Sequence, residues 1–307
     1  MVLDNSLCPN LIVPGVAKSG TSSLHLYLNQ HPDLYMSEVK EPGYFFRDTL
    51  YQQQEEWYLS LFKGGAGLPY RGESSTYYFN YASAIERMKR DLPNPKFIIL
   101  LRHPVERIIS HYFWLWGKGL EYRSLRKAIA SEVNEKYRPT RHIRLHHKDY
   151  LHFSLYSSWV KRYWETFGKE HVLVITNERL RDYPLETMNQ CFSFLGVSKL
   201  PEIKQVVHNV SVLKKVPAWD RRMLHFLFQE DESCAWVRYR NVLIPLKLKQ
   251  LYWKFHVKIN ENKTLDKKPS VSNEDYLWLV SLMKDDVKQL KDLLNDDLLE
   301  WKEFSYD

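Results

Sequence analysis

The chain is poor in cysteine. Cys8, Cys191 and Cys234 are the three among its 307 residues, and they form neither a close pair nor a cluster with metal-ligand spacing. That excludes a disulfide framework and a zinc module, and it predicts reduced thiols in a cytoplasmic setting. No window approaches the roughly 20 apolar residues that span a bilayer, and the N-terminal segment lacks the apolar core of a signal peptide. The expectation is a soluble protein without a membrane partner. Internal repeats and low-complexity tracts are missing as well. So is any dense run of one charge: 44 basic residues stand against 37 acidic ones, a net charge of +7. An excess of that size suits an anionic cofactor, an anionic substrate or nucleic acid, and does not choose among them.

Core-forming material is plentiful, with 44% hydrophobic and 14% aromatic residues. A single α/β domain spanning residues 1–307 is expected. "NLIVPGV" is a short apolar run entering a glycine, a buried strand, and "TSSLHLYLNQHP" continues as a helix that Pro32 ends. "PDLYMSEVKEPGYFF" reads as a structured loop, followed by one helix through "YQQQEEWYLSLF" and a strand near "YRGESS". "FIILLR" is the clearest buried strand, leading into a helix with Pro104 in its first turn. "HVLVIT" gives another strand, and "PLETMNQCFSFLGV" a helix capped at Gly196. Strands alternating with helices predict a three-layer, P-loop-like fold, a central parallel sheet flanked by helices. Residues 200–266 mix aromatics with lysines and arginines and read as a helical insertion forming a wall or lid of an acceptor pocket. A terminal amphipathic helix runs through "VSNEDYLWLVSLMKDDVKQLKDLLNDDLLEW", capped by Ser272 or Asn273.

"GVAKSGTSS", residues 15–23, is nearly a nucleotide-triphosphate loop. The G-x-x-x-x-G-K-[ST] pattern would place lysine where Thr21 stands, whereas here the lysine is Lys18. A triphosphatase also needs an acid at the end of a neighbouring strand to complete its magnesium site. "FIILL" ends instead in Arg102, whose planar fork repels a metal and attracts phosphate. The pattern calls for two phosphate sites and no metal.

With these residues in place, the sequence resembles the sulfotransferase family, and in particular its carbohydrate and heparan-sulfate-type branch. "KSGTSSL" is similar to that family's 5'-phosphosulfate loop and "FIILLRHPVERIISHY" to its 3'-phosphate motif. "SWVKRYWETFGKEHVLVITNERLRDYPLETMNQCFSFLGV" resembles its later segment. The resemblance implies 3'-phosphoadenosine-5'-phosphosulfate (PAPS) as donor and the bisphosphate PAP as product, with no metal. It implies that Lys18, Ser19, Gly20, Thr21, Ser22 and Ser23 hold the 5'-phosphate, and Arg102 and Ser110 the 3'-phosphate. Lys267 and Lys268 would close over the latter. Lys18 also becomes the residue that stabilises charge on the leaving oxygen.

In the K-E-P-x-x-F-F context the resemblance places the catalytic base at Glu41, with Lys40, Tyr44, Phe45 and Glu73 on the acceptor side. Glu73 is the rival base or an orienting group, and Ser74 follows it where the heparan-sulfate pattern has lysine. His103, His111, His146 and His147 are weighed as bases because the cytosolic branch uses histidine; none sits in a matching motif. The acceptor is expected to be a small natural product or saccharide, and the protein a soluble microbial enzyme. Two other readings stay open, a P-loop kinase and a nucleic-acid-binding module suggested by a pI near 9.0.

Overall fold

The computed structural model describes residues 7–118, 120–121, 123–134, 148–205 and 270–304, with isolated helical positions between 220 and 258. Lys267, Lys268, His146, His147, Cys234 and most of the 200–266 segment lie outside the described residues. The chain divides into two units. One holds Met1–Arg107, Phe153–His208 and Leu279–Asp307, the other Ile108–His152 and Asn209–Trp278.

The first unit is built on a parallel sheet. Its strands are β1 (Leu11–Val13), β2 (Leu34–Met36), β3 (Tyr70–Ser74), β4 (Lys96–Leu101) and β5 (Val172–Thr176). Their order is β2-β3-β1-β4-β5. Every pairing is parallel, with Ile12 opposite both Glu73 and Phe97. Such a sheet is covered on both faces, which is why β1 and the FIILL run of β4 are apolar throughout rather than alternating, and all of these residues are buried.

On one face Leu11, Val13, Ile98 and Leu100 pack with Leu24 and Leu28 of helix α1 (Thr21–Leu28) and with Met188 and Phe192 of a later helix. On the other, Phe97 meets the rings of Tyr163 and Phe167. The next strand in sequence after β1 lies to one side of it, and β4 lies on the other. The β1–α1 loop therefore opens at a topological switch point, where the crevice of an open α/β sheet forms.

This unit also holds α2 (Asp48–Gln53), α3 (Glu55–Ser60), α4 (Ala82–Asp91) and the start of α5 (Pro104–Gly117), and it resumes at Phe153. The second unit takes α5 beyond Arg107 and α6 (Leu125–Asn134). After it come α7 (Ser157–Phe167), α8 (Asn177–Asp182), α9 (Pro184–Leu195) and the terminal helix α10 (Asn273–Leu294). Gly196 ends α9 at φ 72°, the left-handed cap expected from the sequence.

Three local expectations are corrected. The loop after Pro32 contains β2, a strand too short to show a period but buried by pairing with β3. The helix expected over residues 51–62 is two helices, α2 and α3, divided at Gln54. The terminal helix stops at Leu294, because Asn295 turns left-handed at φ 51° and sends the chain back so that Trp301 is fully buried. Of its two candidate caps, Ser272 is the one whose hydroxyl accepts the Asp275 N–H, at 3.1 Å.

Inside the second unit, the buried Glu121 carboxylate is bound by Arg123 at 2.8 Å and by the Tyr150 hydroxyl at 2.8 Å. Glu132 accepts the Tyr150 and Leu151 amides, at 2.7 and 2.8 Å. Arg126 ties α6 to Asp275 at the start of α10, at 2.6 Å.

Candidate active site

The loop after β1 begins as an extension of the sheet. The Val16 N–H donates to the Leu100 carbonyl and the Leu100 N–H to the Gly15 carbonyl, both at 2.9 Å. Gly15 is required by close approach, since a Cβ there would lie 2.8 Å from the Phe79 Cβ and 3.1 Å from the Thr76 carbonyl. The chain then turns sharply: Lys18 has φ 74° and Gly20 φ 91°. Gly20 is the N-cap of α1, and it offers the helix no side-chain hydrogen bond. The first-turn N–H groups of Thr21 and Ser22 have no acceptor within the helix.

Beside them the Ser19 hydroxyl is completely buried and finds no hydrogen-bond partner among the described residues. A buried hydroxyl without a partner, next in sequence to a helix start without a side-chain cap, suits an anion, because the helix dipole and the free N–H donors of that start favour negative charge. The residues present therefore fit a phosphate.

Two arginines bond the carbonyls of this loop. Arg102 follows β4 and donates through Nη1 to the Lys18 carbonyl at 3.2 Å, while its Nη2 meets Glu106 at 3.3 Å. A partly exposed guanidinium bound to the loop backbone is thus available at the end of the neighbouring strand. Arg107, absent from the residues that the sequence singles out, is fully buried. Its Nε donates to the Ala17 carbonyl at 3.1 Å and its Nη1 to the Ser154 hydroxyl at 3.0 Å, over the Phe153 ring. The available signal was an arginine on the inward face of an apolar helix, where a charge is retained only if it is well bonded. Ser110 lies further along α5, half-buried, in the second unit.

Glu41 sits in the loop after β2 with φ 60°, and its N–H donates to the Ser74 carbonyl at 3.0 Å. Its carboxylate accepts the Thr76 N–H at 2.8 Å and the Thr76 hydroxyl at 3.1 Å, and Lys40 reaches it at 2.9 Å. The side chain is 39% exposed, so a ligand can reach it.

Glu73 is its opposite, buried completely in β3, with its carboxylate accepting from Tyr58 (2.9 Å), Tyr78 (2.8 Å) and Ser75 (2.6 Å). Burial pushes its pKa up to about 7; the three hydroxyl donors oppose the rise and the nearby Glu41 charge adds to it. Tyr44 and Phe45, expected on the acceptor side, are buried instead, Tyr44 stacked on Tyr58 with centroids 4.1 Å apart and Phe45 edge-on to Tyr58 and Tyr78. They form an aromatic core under the loop.

The described histidines are packed rather than open. Burial, with the Lys40 charge behind it, lowers the His25 pKa to about 4, so its imidazole is neutral where Nδ1 meets the Ser74 hydroxyl at 2.8 Å. His103 is buried between Glu303 and the ring of Phe304, and His111 against Tyr150.

The loop after β1, the strand-end Arg102 after β4 and the acid-bearing loop after β2 all follow parallel strands of one sheet with β1 at its centre, a layout that suits a group-transfer enzyme with an anionic substrate. Residues 9–217 match the sulfotransferase domain model, and the chain belongs to that family. A sulfotransferase from Alicyclobacillus acidocaldarius shares the fold with a TM-score of 0.63 and 26% identity, over 96% of this chain and 98% of that one. The membrane-associated sulfotransferase kil1 of Dictyostelium discoideum is 40% identical over 110 residues, 34% of this chain and 23% of that protein. Human heparan sulfate glucosamine 3-O-sulfotransferase 6 is 27% identical over 208 residues, 66% of this chain and 56% of that one. The chain thus spans about a quarter of one curated relative and just over half of the other. No helix among the described residues is long and apolar enough to cross a membrane.

Proposed function

We propose that this protein transfers a sulfuryl group from PAPS to a hydroxyl or amine of a small-molecule or saccharide acceptor, leaving PAP. The observation that carries this reading is the pairing of two anion-seeking features on one loop. The orphaned Ser19 hydroxyl and uncapped start of α1 form the first, and the Arg102 guanidinium bound to the Lys18 carbonyl is the second. Ser19, Gly20, Thr21, Ser22 and Ser23 would hold the 5'-phosphate. Arg102 would hold the 3'-phosphate, with Ser110, Lys267 and Lys268 as its further ligands. A kinase reading would need an acid where Arg102 stands.

When bound, the donor supplies an activated sulfuryl group on a phosphate leaving group. Lys18 brings a positive charge to the loop on which that leaving group forms, and its ammonium neutralises charge growing on the bridging oxygen. Glu41 takes the proton of the acceptor's hydroxyl or amine at its exposed carboxylate, which Thr76 holds in one orientation. Lys40, beside it, offsets the charge of the anion. The buried thiols of Cys8 and Cys191, neither of them in a disulfide, favour a reducing compartment, and we place the enzyme in the cytoplasm. The names of the relatives favour a saccharide among the possible acceptors.

The test is incubation with sulfur-labelled PAPS and a panel of alcohols, amines, saccharides and alkaloids, in the presence of a metal chelator. Label is expected on a hydroxyl or amine of a small acceptor. Transfer confined to long anionic glycans would overturn the acceptor class. A requirement for magnesium, or transfer of phosphate from ATP, would overturn the reaction.

A further inference from the structure

The buried Glu73 carboxylate touches no ligand-accessible surface, yet every group bonded to it also touches the loop that carries Glu41. Ser75 gives its proton to Glu73 Oε2 at 2.6 Å and accepts the Gly43 N–H at 3.0 Å. Tyr78 gives its proton to Oε1 at 2.8 Å and accepts the Phe45 N–H at 3.2 Å. Tyr58 donates to Oε1 at 2.9 Å and presents its ring to Tyr44 at 4.1 Å, the planes 6° apart. A hydroxyl has one proton. Where a carboxylate takes it, the oxygen is left with lone pairs for a backbone N–H, so two relays run in the same direction, from N–H through O–H to the anion.

We propose that Glu73 is a positioning residue for the reaction. As an anion it aligns Ser75, Tyr78 and Tyr58 so that they fix residues 43–45 and hence the Glu41 carboxylate, and a proton on Glu73 breaks that alignment. The proposal rests on the reading of Glu41 as the base.

The direction of the break follows from the bonding. Oε1 accepts two tyrosine hydroxyls and Oε2 only one donor, so an added proton goes to Oε2 and points at the Ser75 oxygen. Ser75 then has to turn its own proton away, in a place where it is 1% exposed, or give up the Gly43 N–H. The groups facing Glu73 are Tyr58 from α3, Ser75 and Tyr78 from the segment after β3, and Glu41 from the loop after β2. Cys8 lies near Tyr58, and His25 bonds the hydroxyl of the neighbouring Ser74. No lysine, arginine or histidine pairs with the carboxylate among the described residues, so nothing cationic holds it ionised. Its upward-shifted pKa places the change near neutral pH.

The experiment follows the amide resonances of Gly43 and Phe45 by two-dimensional NMR between pH 5.5 and 8.5 in the full chain, as wild type, Glu73→Gln and Glu41→Gln. The neutral amide introduced by Glu73→Gln mimics the protonated acid. Both amide resonances are expected to titrate together in wild type and in Glu41→Gln, and to stay at their low-pH positions in Glu73→Gln. Turnover of Glu73→Gln should fall about tenfold to a hundredfold at pH 8 and lose its rise across neutral pH, with PAP affinity unchanged. Should Glu73→Gln not fold, Ser75→Ala should abolish the Gly43 shift alone and Tyr78→Phe the Phe45 shift alone. Resonances that do not titrate, or titrate equally in Glu73→Gln, overturn the proposal, as does a titration lost only in Glu41→Gln. If they titrate as described while wild type transfers no sulfuryl group at any pH, the alignment stands and the reading of the reaction fails.

Discussion

Lys18 and Glu41 share an uncommon backbone state, both left-handed at φ 74° and 60°, and neither is a glycine. Strain of this kind costs about 1–3 kcal/mol per residue and persists where the surrounding structure over-determines it. Here it accompanies a cation on the loop after β1 and an acid on the loop after β2, and the roles proposed for the two predict different failures. Lys18→Ala should reduce kcat about 10²- to 10³-fold, as removal of a donor to a developing oxyanion does, with thermal stability little changed. Glu41→Gln keeps shape and the Thr76 hydrogen bonds but cannot take a proton. Its turnover should fall about 10²- to 10⁴-fold while calorimetry shows PAP binding intact. Near-normal turnover in Glu41→Gln would mean that another group takes the acceptor's proton.

Among the elements, α5 contributes to the site through Arg107 as much as Arg102 does from the strand end just before it. Arg107 braces the loop after β1 by bonding the Ala17 carbonyl. Arg107→Met fills the space but leaves buried acceptors behind, which costs about 1–3 kcal/mol each. Chemical denaturation should show a loss of that order, and PAP affinity should drop although no direct contact with the ligand is removed. The strand-loop-helix unit of β1 and α1, and strand β4, were legible in the sequence because glycine spacing and an unbroken apolar run are local signals. Arg107 was not, since its partners Ala17 and Ser154 lie 90 and 47 residues away. Glu73 was legible as an acid at a strand end, but its hydroxyl shell comes from α3 and from beyond β3. The split between α2 and α3 carries no glycine or proline to announce it. The early end of α10 was hidden because Leu298 and Trp301 keep an apolar rhythm while being buried by a turn.

For the whole molecule, two buried groups set opposing dependences of stability on pH. Glu73 has a folded pKa of about 7 against an ordinary 4.5, so the native state holds its proton more tightly than the unfolded chain does. Its contribution is full below pH 4.5 and is lost as pH rises to about 7, on the order of 3 kcal/mol. His25 runs the other way: with its pKa lowered from 6.5 to about 4, its contribution is present above pH 6.5 and lost as pH falls towards 4. Between these limits the two slopes largely cancel. Glu73→Gln removes one of them, so its Tm should exceed that of wild type at pH 8 and approach it near pH 4.5. A Tm difference independent of pH would mean that Glu73 is not held near neutrality by burial. The broader claim is that one cradle at the centre of the sheet, with an arginine at the adjoining strand end, selects a nucleotide phosphorylated at both ends. Titration calorimetry of PAP and 5'-AMP in chelator, against wild type and Arg102→Ala, measures this directly. PAP should bind wild type at least about tenfold more tightly than 5'-AMP without metal, and Arg102→Ala should lose about 1.5–3 kcal/mol for PAP and little for 5'-AMP. Equal affinities for the two nucleotides, equal losses on substitution, or binding that requires magnesium would contradict the account.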